Sequence, residues 1–95
     1  MQSAHIMSSL YNRAMVEFLQ IELDLAFTFC KVGLTTSDFS RAERNADNAR
    51  TALQTVLELK ERFSLTKQEK QTLVRKASAV ISILVQLEHH CVRMN

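Results

Sequence analysis

Glu88-His89-His90-Cys91 is the run in which metal-ligating and titratable side chains crowd most closely. Ligands that share one helix face stand three or four apart, as in H-E-x-x-H, because only those spacings bring side chains to the same side. His89 and His90 are adjacent and point about 100° apart on a helix, so they do not reach one ion together. Glu88 and Cys91 have the spacing but supply only two ligands, and His5 is the only other histidine. The pair therefore reads as surface or interface histidines near a helix C-terminus, where a cation is favoured by the dipole. No metal and no cofactor is expected.

Other chemistry is equally thin. Cys30 and Cys91 lie far apart in the chain and read as reduced, buried small hydrophobes. A single glycine rules out a glycine-rich phosphate loop. Glu22, beside an apolar stripe, is the best candidate for a partly buried acid, with an ion pair or hydrogen bond to the second helix as its ordinary role. No Ser-His-Asp or Cys-His arrangement emerges, so no enzymatic activity is expected. For nucleic acid the candidates are Lys67, Lys70, Arg75, Lys76 and Arg93. They lack aromatic stacking partners and a short recognition helix, and a solvated face is the plainer role.

Net charge is +2, from twelve basic and ten acidic residues, too balanced to demand a polyanionic partner. The excess sits in residues 64–95, which hold five basic and two acidic residues. Hydrophobic residues make up 46% of the 95, which favours one folded domain over a disordered chain. The beginning MQSAHIMSSL has neither a basic start nor a continuous apolar run, so no secretory signal is read and a cytoplasmic location is the default.

These residues must be positioned by helices. Proline is absent, and Ala, Leu, Glu, Lys, Arg and Gln abound. The first helix should start near Ser3 or Ser8 and end about Thr35, with Gly33 in a C-terminal turn. Thr35-Thr36-Ser37-Asp38 supplies turn and cap chemistry. A second helix over about 38–63 starts at Ser37 or Asp38, or at the S-x-x-E of Ser40 and Glu43. Its apolar face is Phe39, Ala42, Ala46, Ala49, Leu53, Val56 and Phe63. A third helix over about 66–92 opens on a capping box, Thr66 with Glu69. Leu73, Ala77, Val80, Leu84, Leu87 and Cys91 make its seam, widened by Val74, Ile81, Val85 and Val92 and, on the other flank, Ile83. Short connections imply an all-α fold, an antiparallel up-down-up three-helix bundle with long first and third helices.

The first helix is apolar on two sides. Met7, Tyr11, Ala14, Phe18, Ile21, Leu25, Phe29 and Val32 form one stripe. Val16, Leu19, Leu23, Ala26, Phe27, Cys30 and Leu34 form another. Arg13, Glu17, Gln20, Asp24 and Lys31 fill a strip between them. Charges at Glu22, Asp24 and Lys31 argue against a membrane span. The expectation is that the first stripe holds the bundle and the second makes an external contact through Val16, Leu19, Leu23, Phe27 and Cys30. A homodimer or higher oligomer, the dimer favoured, is the leading occupant; central burial within a monomer and another protein's helix are the alternatives.

Phe29, Cys30 and Gly33, then Ser37-Asp38-Phe39, then Ala42, Ala46 and Ala49 resemble one tetratricopeptide hairpin across about 30 residues, from Leu23 to about Leu53. The chain departs from that repeat where it carries Trp and Pro, and has one copy where solenoids stack about three. In size and layout the chain also resembles the three-helix MIT domain. Either resemblance implies a scaffold that binds proteins through helix faces. Together these features point to a small interaction or self-association module, with a nucleic-acid-associated regulator using Lys67, Lys70, Arg75 and Lys76 as the alternative.

Overall fold

The computed structural model describes the backbone of residues 2–94 and the side chains of residues 9–94. Expectations that involve the side chains of Ser3, His5, Met7 and Ser8 lie outside the described residues. Among the described residues there are three α-helices: α1 (Gln2–Thr35), α2 (Phe39–Leu59) and α3 (Lys67–Met94), with a 3₁₀ turn over Lys60–Arg62. Among the described residues there is no strand. All three helices touch one another, and one core lies between them.

The breaks fall where side chains compete for backbone partners. At the end of α1 the Thr36 N–H donates to the Gly33 carbonyl, and the Thr35 hydroxyl donates to the Val32 carbonyl at 2.8 Å. Asp38 is the N-cap of α2, its carboxylate accepting from the Arg41 N–H at 3.3 Å. The Thr36 hydroxyl accepts from the Asp38 N–H in turn. Before α3 the Thr66 N–H donates to the Glu69 carboxylate at 2.8 Å, and the Glu69 N–H donates to the Thr66 hydroxyl at 3.1 Å. That is the reciprocal capping box the sequence spelled out.

The alanine face of α2 decides how the helices meet. Ala42, Ala46, Ala49 and Ala52 are all buried, so α2 offers a low ridge on which another helix can settle closely. The side of α1 that faces this core also carries small residues, Ala26 and Cys30, both fully buried, alongside Leu19 and Leu23. Gly33 extends that close packing, because a Cβ there would stand 2.8 Å from a methyl of Leu87 and 3.2 Å from Cβ of Asn45. Its φ is not positive, so it lies in the helix as a contact residue rather than serving as a left-handed cap. From α3 come Leu73, Val80, Leu84, Leu87 and Cys91.

Three polar links fix the level of α1 and the turn just after it against the segments around them. The Asn12 side-chain amide donates to the Ser64 carbonyl and accepts from its N–H, at 2.8 and 3.0 Å. Lys76 donates to both carboxylate oxygens of Asp24, at 2.8 and 3.0 Å. The His90 Nε2 lies 2.9 Å from the Thr36 carbonyl, to which it donates. The molecule measures 58 × 21 × 18 Å. A cross-section of about two helix diameters leaves room for one core and no second layer.

Candidate functional site

The residues expected to make an external contact form the core instead. Val16, Leu19, Leu23 and Cys30 are buried, and Phe27 is half-buried with the Lys31 ammonium 5.6 Å from its ring centroid. The two stripes of α1 thus have the reverse of their expected roles. The cause is complementarity of size: an alanine face on α2 requires a neighbour with small residues of its own, and the Ala26–Cys30 side of α1 has them. That signal was present in the sequence, whereas hydrophobicity alone could not rank the two stripes.

The other stripe is left facing out. Tyr11, Phe18, Ile21, Leu25 and Val32 are 37–62% exposed, and Ala14 is exposed between them. Phe29 leans over the edge and packs partly against the core. Spacings of three, four and seven keep the series on one side of the helix for about six turns, as in one strand of a coiled coil. Single exposed apolar residues are ordinary; here a row of them lies on the side of α1 that its own bundle does not cover, with the exposed Thr28 between Leu25 and Val32.

A second apolar surface lies between α2 and α3, and Tyr11 of the outer row reaches one of its lining residues, Phe63, with ring centroids 6.1 Å apart. A groove of about 720 Å³ runs between the end of α2 and the start of α3, with Val56, Leu57, Leu73, Val74, Ala77 and Ile81 along it. Its titratable side chains are Lys60, Glu61 and Lys70, and Lys60 stands 3.7 Å from Glu61. Its hydroxyl side chains are Ser64 and Ser78.

The residues singled out for chemistry are dispersed. Glu88 turns to α2, where its Oε2 accepts from Arg50 Nε and Nη2 at 3.2 and 3.0 Å while Arg50 also pairs with Asp47. The hydrogen bond to Glu88 raises the guanidinium pKa further. His89 is exposed, His90 is tied to the Thr36 carbonyl, and Cys91 is in the core. Among the described residues no three His, Cys, Asp or Glu side chains gather where an ion could sit. Glu22 is half-buried and, among the described residues, forms no ion pair or side-chain hydrogen bond, so the expected link to α2 is not made. Both cysteines are free, and burial pushes each thiol above its ordinary value, with Glu88 adding to the rise at Cys30 and Glu43 at Cys91.

The basic residues at the start of α3 do not converge. Lys70 borders the groove toward α2, Lys76 is engaged by Asp24 of α1, and Lys67 and Arg75 are exposed about 80° apart around the helix. Among the described residues no helix is long and apolar enough to cross a membrane. Comparison with known protein families, curated proteins and solved structures finds no match to this chain.

Proposed function

We propose that this protein is a non-enzymatic interaction module, an up-down-up bundle that pairs with a second copy of itself through the outer face of α1. The contacts of Asn12 with Ser64, Asp24 with Lys76 and Thr36 with His90 rise together along the chain, which supports α1 and α3 running the same way with α2 between them. A tetratricopeptide-like or MIT-like scaffold role is in keeping with that arrangement.

One observation carries the functional reading: the apolar row from Tyr11 to Val32, broken in its seam at Thr28, on a helix whose other apolar side is already buried. Five large side chains at this exposure leave on the order of 500 Å² of apolar surface per copy, about 1,000 Å² for two, which is the lower bound for a biological interface. An isologous pair covers the row with an identical row and closes, whereas a single partner of another kind must match its full length. The two free, buried thiols fit a reducing, cytoplasmic setting.

Sedimentation equilibrium of the Phe18→Glu, Leu25→Lys double variant tests the reading. The variant should keep its helical circular dichroism and sediment as a monomer under conditions where the unaltered chain is a dimer. An unchanged mass would overturn the assignment of this face.

A further inference from the structure

The charges beside the outer row of α1 carry information about direction. In a heptad that starts at Tyr11, one flank carries Glu17, Asp24 and Lys31 and the other carries Met15, Glu22 and Phe29. Glu17 and Lys31 are exposed, and among the described residues neither is in an ion pair. We infer that two copies associate with their α1 helices antiparallel, Glu17 of each facing the partner's Lys31; this rests on the reading that the outer face of α1 self-associates.

Parallel pairing brings each flank against the opposite flank of the other copy. Glu17 then meets the partner's Glu22, twice by symmetry, and Phe29 lies beside the partner's Asp24. Like charges held opposite one another are destabilising. Antiparallel pairing brings like flanks together. With Ile21 opposite the partner's Leu25, Glu17 falls opposite the partner's Lys31 and Met15 opposite the partner's Phe29, each twice. The ion pairs flank the apolar row, and Met15 with Phe29 widens it. Asp24 meets the partner's Asp24 at the axis, where Lys76 already holds each carboxylate at 2.8 Å. Glu22 meets its own copy on the other flank. Each arrangement holds two like-charge contacts; the two opposite-charge pairs and the two added apolar contacts occur only in the antiparallel form and select it.

Reversal of charge tests the direction. Glu17→Lys and Lys31→Glu should each weaken the dimer about fivefold in Kd, the size expected for two exposed ion pairs, and the double variant should return to the unaltered affinity. A Glu17→Lys variant that dimerises more tightly would signal the parallel form, with the introduced ammonium opposite the partner's Glu22, and would overturn the proposal. A nitroxide on Ser9→Cys gives an independent reading, since the buried thiols resist labelling. Its copy should lie about 40 Å away antiparallel, at about 1.5 Å per residue, and close by if parallel. An unaltered chain that is monomeric at every concentration would instead overturn the self-association itself, and the direction with it.

Discussion

Gly33 and Leu87 meet with no side chain between them: a Cβ on the glycine would stand 2.8 and 2.9 Å from the two terminal methyls of Leu87. Leu87 is wholly buried, so its methyls have no open space to take up. The glycine lies inside a helix, where alanine would ordinarily add about 1 kcal/mol. Forcing one carbon into a filled core costs about 1–3 kcal/mol. Gly33→Ala should therefore lower stability by about 1 kcal/mol, a fall of roughly 4–8 °C in Tm for a domain of this size, read by thermal circular dichroism. A rise in Tm would mean that α1 and α3 are not this close.

Leu23 and Leu25 separate the two faces of α1. Leu23 is 1% exposed and belongs to the core; Leu25 is on the outer row. Leu23→Ala should cost about 2–5 kcal/mol in chemical denaturation. Leu25→Ala, measured in protein dilute enough to be monomeric, should change stability by less than about 0.5 kcal/mol. Equal losses at both positions would show that the bundle buries both faces.

The thiols make stability depend on pH in the alkaline range. Burial holds the Cys30 and Cys91 thiols neutral in the folded protein above their ordinary value of 9.0. As pH rises the unfolded chain loses its thiol protons first, which favours unfolding. The contribution is fully present below the unfolded-state value and is lost as pH climbs through the folded one. A Cys30→Ala, Cys91→Ala variant should thus lose less stability than the unaltered chain between about pH 8 and pH 10. In native protein a thiol reagent should react slowly at both positions and at once on unfolding.

Much of the fold was legible in residue order. The Thr66–Glu69 cap, the Asp38 boundary, the alanine face of α2 and the Leu73–Cys91 seam of α3 each rest on local chemistry or on one helix's periodicity. What periodicity could not supply was a ranking of two apolar stripes on one helix. That ranking depends on which surface the neighbour offers, and here small residues on α2 select Ala26 and Cys30 over Phe18 and Leu25. The role of Gly33 was hidden for the same reason, since its position near a helix end suits a cap equally well. The proposed contact therefore shifts from Val16, Leu19, Leu23, Phe27 and Cys30 to the row from Tyr11 to Val32.

Mass in solution tests the central claim most directly. Sedimentation equilibrium over a concentration series from low to high micromolar should pass from the 10.9 kDa of one chain toward twice that mass. The Phe18→Glu, Leu25→Lys variant should stay at the mass of one chain throughout. A single-chain mass for the unaltered protein across the whole series would contradict the claim that the outer face of α1 pairs with itself.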